Sequence, residues 1–339
     1  VVVSVLGLLY AFNDPLSKNH ICDLFAWVDT SLMRGQNLVA LVALLLFVYL
    51  LVSRILRYDR IVRNRMFAVM SLAFFIIFFF ITFEQAPSSL IIVARDYVDR
   101  SLSGEGLLVF NIINALLMLI PLLIISFVLI RLAMVTWKLI PLTNIVLFVC
   151  FLLIWGVAIY AIRSEFLKKT SEIAVSWFSV LNAFFVITLA SSVSKIWSSK
   201  YNPSVAFKYG FGLFFVALGY LVVWFGAKGL SQDMKISMAY IILIYFFHTI
   251  GELFISPVGL SYVSKLVPHR MLAFMFGTWY LGIAIAQKVA ATLGGQVVSI
   301  TKEYGLSTFF LIFAGIAAGA GILVMLYNPV LKKLMHEVK

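Results

Sequence analysis

The chain has 339 residues, of which 63% are hydrophobic and 12% charged, with a formal net charge of +12. A soluble domain carries about a quarter charged residues, so this composition excludes an ordinary soluble globular protein. Several windows lack any charge over at least the 18 or so residues that a helix needs to cross about 30 Å of hydrocarbon. An all-α polytopic membrane protein is expected.

In chain order, the opening VVVSVLGLLYAF has no initiator Met, no charged n-region and no small-residue cleavage site. It does not read as a signal peptide. It is too short to span a bilayer, and is expected to be the tail of a helix whose start is missing, the sequence being a fragment. Nine apolar runs follow, at 36–53, 66–83 continuing towards 94, 107–130, 142–162, 175–197, 209–227, 237–264, 271–298 and 307–327. Each is expected to be a membrane-spanning helix.

The connections between them alternate in charge. Arg54, Arg57, Arg60, Arg63 and Arg65 crowd one; Arg131 with Lys138 mark another, and Lys195, Lys200 and Lys208 a third. Lys265 with Arg270, and then Lys332, Lys333 and Lys339 in the tail, complete that set. The intervening connections are near balance: Arg95, Asp96, Asp99, Arg100 and Glu105; Arg163, Glu165, Lys168, Lys169 and Glu172; Lys228, Asp233 and Lys235; Lys302 and Glu303. Cytoplasmic loops carry the excess of Lys and Arg, so the first set and the C-terminus are expected in the cytoplasm. This placement also turns the positive charge away from a nucleic-acid reading, and no nucleic-acid partner is expected. Cys22 and Cys150 have no metal or redox spacing and are read as free thiols.

Of 14 acidic residues, only Glu84 and Glu252 fall well inside apolar runs. A carboxylate in a membrane is costly and marks a functional site by default; the alternative is a helix-packing acid neutralised by protonation or water. Helix rise puts Glu252 roughly 22 Å into a run entering from outside. Glu84 and Lys288 lie at similar depth with opposite charge, which makes them candidate ion-pair partners. His248 precedes Glu252 by one helical turn on the same face, where it modulates the acid or packs against it. No second ligand pair accompanies it, and no metal is expected. Pro257 and Gly259 are expected to kink the helix beside Glu252, as in the broken helices where transporters bind substrates and ions. Asn182 and Trp279 are polar or aromatic groups that either contact a ligand or pack between helices. No nucleophile–base pair, paired-carboxylate motif or phosphate loop is present, and an enzyme is not expected.

The stretch FFHTIGELFISPVGLSYVSKLVP (Phe246 to Pro268) resembles the proton-dependent oligopeptide transporter family of the major facilitator superfamily. FEQAPSSLIIVARDYVDR (Phe83 to Arg100), SWFSVLNAFFVITLA (Ser176 to Ala190) and GTWYLGIAIA (Gly277 to Ala286) agree with it in order. The resemblance covers the C-terminal six-helix half of such a transporter. It divides the chain into a remnant of the inter-half linker hairpin at 1–57, a first helix at 58–100, an inserted transmembrane hairpin at 101–172, and five further helices at 173–339.

The resemblance implies symport of di- and tripeptides with protons by alternating access, in a cell inner (plasma) membrane. Protons are then the coupling ion and no other cofactor is needed. It implies that Glu252 binds the peptide amino terminus and pairs with a lysine of the N-terminal half. It likewise implies that Asn182 contacts the peptide, although Ala183 stands where the family has proline, and that Trp279 lines the cavity. Glu84 matches an acid of the first helix, and Asp96 falls near the extracellular gate. The partners implied are the peptide, the bilayer and the N-terminal six-helix half, which holds the family's main proton-coupling motif and is not in this sequence. Two rival readings remain: transport of another small substrate such as nitrate or an organic anion, and a non-transporting membrane scaffold.

Overall fold

The computed structural model describes residues 2–19, 21–31, 33–200, 202–229 and 234–336. Asp233 and Lys339, counted above among the loop and tail charges, lie outside the described residues. Helix α1 (Val2–Lys18) leads into α2 (Gly35–Ile55), then α3 (Arg60–Phe83) and the short α4 (Ser89–Asp96). Two long helices, α5 (Gly104–Thr136) and α6 (Pro141–Phe166), follow as a hairpin. The remainder is α7 (Val175–Trp197), α8 (Val205–Ala227), α9 (Met238–Leu266), α10 (His269–Gly294), α11 (Val297–Tyr304), α12 (Leu306–Leu326) and α13 (Asn328–Met335). Among the described residues, nine helices are long and apolar enough to cross a membrane: α2, α3, α5 to α10 and α12.

One boundary departs from the hydropathy reading. The run expected to continue from 66–83 towards 94 is interrupted: α3 stops at Phe83 and α4 begins at Ser89. Pro87 has no N–H to donate and disfavours helical geometry in the residue before it. The carbonyls freed at the break find donors on other helices. Tyr220 Oη of α8 donates to the Thr82 carbonyl (2.5 Å), and Tyr245 Oη of α9 to that of Ala86 (3.2 Å). The fully buried Gln85 donates to the carbonyls of Ile81 (3.1 Å) and Ala290 (3.0 Å), and accepts from Ser89 Oγ (2.6 Å).

Burial sorts the spans. About half of the apolar window of α3 and of α8 is buried, against 6% for α5 and α6, so the α5–α6 hairpin stands outside the bundle. Helices that are apolar all round do not announce which face packs; small residues settle it. At the α8–α9 crossing, Gly251 lies directly over the backbone of Gly212, and Gly219 faces His248 and Ile244. At the α8–α12 crossing, Gly321 lies against the Gly210 carbonyl. Such small-residue contacts let helices approach closely enough for van der Waals packing to hold them in lipid.

The two kinds of connection separate to opposite ends. At the basic end Asn64 Nδ2 lies 3.0 Å from His336 Nε2, and Ser204 Oγ donates to Asn328 Oδ1 (2.8 Å). At the other end two short ladders tie the balanced connections together. β1 (Val98–Asp99) pairs in parallel with β4 (Ile236–Ser237), and β2 (Ser101–Ser103) pairs antiparallel with β3 (Thr170–Glu172), closing the base of the α5–α6 hairpin. Arg100 Nη2 meets Glu172 Oε1 there at 2.6 Å. Cys22 and Cys150 are free and exposed.

Candidate functional site

Glu252 is half-buried on α9, within contact of α7. Asn182 Nδ2 of α7 donates to Glu252 Oε2 (3.0 Å) and to Thr249 Oγ1 (3.1 Å). Thr249 in turn donates its hydroxyl proton to the Tyr245 carbonyl one turn back (2.7 Å). These assignments interlock. Thr249 has spent its single proton, so its oxygen accepts from Asn182, and an ionised carboxylate accepts only. Both amide protons of Asn182 are thereby consumed. Two acceptors on adjacent groups, Glu252 Oε1 and Asn182 Oδ1, have no hydrogen-bond partner among the described residues. Thr249 carries the arrangement as much as Asn182 does, yet the sequence reading did not single it out; its signal was a buried hydroxyl three residues before the acid.

Glu84 lies at the C-terminal cap of α3 and is near enough to Glu252 for the two negative charges to repel. Its carboxylate accepts from Gln287 Nε2 of α10 (3.1 Å). Lys288, the expected ion-pair partner, is exposed and lies 3.6 Å from Asp14 Oδ1 of α1 instead. The expected Glu84–Lys288 pair is therefore corrected: neighbouring positions on a helix point about 100° apart, and it is Gln287 that faces Glu84.

His248 is corrected in the same way. Although it precedes Glu252 by one turn, its ring is enclosed by Tyr220 (centroids 4.8 Å apart) and Phe83 (6.2 Å). Its nitrogens make no full hydrogen bond, only a looser approach to the Val216 main chain. It packs between α3, α8 and α9, and no hydrogen bond joins it to the acid.

Trp279 is 1% exposed. A Cβ placed on Gly259 would overlap its indole and the Tyr209 hydroxyl, so Gly259 is there to admit the ring. This corrects one expectation: Trp279 is enclosed between α9, α10 and α8 rather than lining a cavity. Helix α9 continues through Pro257 from Met238 to Leu266.

Asp96 lies at the end of α4, outside the spans, joined to Arg95 Nε at 2.7 Å. That contact holds its carboxyl below the usual carboxylate range. Among the described residues it makes no contact with Glu252 or Glu84.

Part of the chain is similar to one known family. Residues 157–311 match the model of the POT family. Over 188 residues the chain is 28% identical to a di-/tripeptide transporter of Lactococcus lactis subsp. cremoris, covering 55% of this chain and 37% of that protein. It is 35% identical over 133 residues to dipeptide and tripeptide permease B of Salmonella typhimurium, covering 37% of this chain and 25% of that one. The chain thus matches between a quarter and about two fifths of the length of these relatives. Among solved structures, a POT family transporter in complex with 5-aminolevulinic acid superposes with a TM-score of 0.61 at 19% identity. That superposition covers 97% of this chain and 53% of the other. A POT family transporter with a thioalcohol conjugated peptide gives 0.60 at 18%, over 97% and 53%. At these identities the superpositions establish the fold.

Proposed function

We propose that this chain, which is similar to the POT family over residues 157–311, carries out proton-coupled symport of di- and tripeptides by alternating access. The observation that carries the reading is the pair of unclaimed acceptors, Glu252 Oε1 and Asn182 Oδ1, held by a fully committed amide and a threonine. An ammonium group brings three donors and one positive charge, and both acceptors can receive from it. In this account α3 with α4, and α7 to α10 with α12, form the C-terminal six-helix half, and α1 with α2 the linker hairpin. α5 with α6 are an inserted hairpin facing lipid. The basic end of the bundle and the C-terminus face the cytoplasm. The membrane is the cell inner membrane, and an N-terminal six-helix half supplies the cations for the peptide carboxylate.

Coupling follows from the cost of an unpaired charge. A carboxylate near the bilayer centre that has lost its cation is disfavoured by about 3 kcal/mol, or about 100-fold. Glu252 is therefore occupied either by a proton or by a cation, the substrate ammonium or a lysine of the N-terminal half. Exchange of one occupant for another links proton movement to opening of the gate.

The test is uptake of a labelled dipeptide by proteoliposomes containing the protein expressed from its complete reading frame, with and without an inward proton gradient. Gradient-dependent accumulation is the expected result. Gradient-dependent uptake of nitrate in the same vesicles, with no dipeptide uptake, would move the substrate to the anion class. A folded protein that takes up neither would leave the scaffold reading.

A further inference from the structure

The feature that this account leaves unused lies at the basic end of the bundle, about 20 Å along α9 from Glu252. Lys208, counted by its sequence position among the loop charges, sits in the first turns of α8 and is only 7% exposed. Its Nζ lies 4.7 Å from the centroid of the Trp197 ring. Among the described residues no carboxylate pairs with it, and Lys265 is near enough to repel it. The indole Nε1 of Trp197 is itself buried with no acceptor.

These donors border two adjoining cavities. One, of about 710 Å³, is lined in part by Lys208, Lys332, Asn202, Ser204, Asn328 and Tyr262. The second, of about 230 Å³, is bounded by Lys208, Lys265 and Trp197. Among the described residues no acidic residue lines either one. A buried ammonium without a counter-ion is unfavourable by several kcal/mol, and a ring face returns only about 1–2 of these. Three lysines around two cavities that share Asn202, Lys208 and Tyr262 describe a site suited to an anion.

The number of donors selects the anion. A carboxylate offers two oxygens and one charge; a phosphomonoester offers three unesterified oxygens and more than one charge, and can meet several ammonium groups together. The setting points to the membrane surface. Beside the cavity, α13 buries Leu331 and Met335 and exposes Lys332 and Lys333, as an interfacial helix does. Basic pockets between spans on the cytoplasmic side suit phospholipid headgroups. We infer that Lys208, held over Trp197, binds together with Lys265 and Lys332 a phosphomonoester or inorganic phosphate, either the headgroup of an anionic lipid that carries one or the soluble ion. The cytoplasmic placement rests on the orientation proposed above, but the chemistry does not.

Retention of lipid by the purified full protein, followed by native mass spectrometry, tests this independently of transport. Phosphatidic acid is titrated against phosphatidylcholine, and in parallel the unfolding midpoint is measured in inorganic phosphate against chloride at equal ionic strength. Phosphatidic acid should be retained about ten- to thirty-fold over phosphatidylcholine. Lys208→Gln combined with Lys332→Gln should bring the two within about twofold, while Lys208→Arg and Lys333→Gln keep the preference. A stabilising shift with phosphate that is lost in the double variant, without lipid preference, assigns the soluble source. Failure of both ligands to be distinguished from their controls, or a preference that survives the double substitution, overturns the proposal. The first of these is also the outcome if an acidic residue from elsewhere in the protein fills the space.

Discussion

Replacing Gly251 by alanine adds a single methyl group one residue from the buried acid, at the closest crossing of α8 and α9. That Cβ would come 2.6 Å from the carbonyl oxygen of Gly212 and 2.8 Å from Val216 Cγ2. An ordinary contact between carbon and oxygen needs more than 3 Å, so the helices must separate by about half an ångström or more. The obstructing atom belongs to backbone and cannot rotate away. Overpacking of this kind costs about 1–3 kcal/mol, against about 1 kcal/mol gained from the better helix former. Gly277 supplies the control. It sits on an exposed face of α10 with nothing within 4 Å of a built Cβ, so Gly277→Ala keeps the propensity gain with no clash. The two variants should differ by about 2 kcal/mol, or roughly 3 °C in unfolding midpoint, with Gly251→Ala the lower. Differential scanning fluorimetry on intrinsic tryptophan reads this in detergent. Equal midpoints for the two variants would refute the close α8–α9 approach and with it the positioning of Glu252.

Three other outcomes follow from the site. Trp279→Ala removes a ring that is 1% exposed and should lower stability by about 3–5 kcal/mol; a raised KM for dipeptide at unchanged stability would instead place Trp279 in the cavity. Asn182→Ala deletes both donors to Glu252 and Thr249 and should weaken apparent substrate affinity about tenfold or more, read as KM in the vesicle assay. An unchanged KM would detach Asn182 from the site. Asp96 gives a pH test with a defined sign. Its carboxyl is held below the usual range by Arg95, so the contact contributes above the unfolded pKa of about 4 and is lost only as pH falls through the lower folded value. Asp96→Asn should therefore leave the uptake–pH profile between pH 5 and pH 8 unshifted, and a shifted profile would make Asp96 part of the gate.

The spans were legible because each needs only length and apolarity, and the alternation of basic connections sorted their ends. The break at residues 84–88 was written in Pro87, but apolar continuity through 89–94 hid it. Within the site, Glu252 stood out because charge in lipid is conspicuous. What it touches depends on which helix faces which, and these helices carry apolar residues on every side. The sequence-level pairing of Glu84 with Lys288 rested on depth alone, and depth does not fix the angle around a bundle. His248 and Trp279 show the converse case, since residues near the acid in sequence or in family pattern are sealed by glycines whose partners lie on other helices. Lys208 was read as a loop charge because hydropathy cannot tell a lysine just inside a helix from one just outside it.

The central claim is that Glu252 exchanges a proton for a cation during each cycle. Glu252→Gln keeps the shape and removes the charge, and its gradient-driven dipeptide uptake, measured beside the wild type in the same vesicles, tests this most directly. The account predicts that accumulation is abolished while the variant remains folded. Accumulation driven by the gradient at near wild-type rate would contradict it.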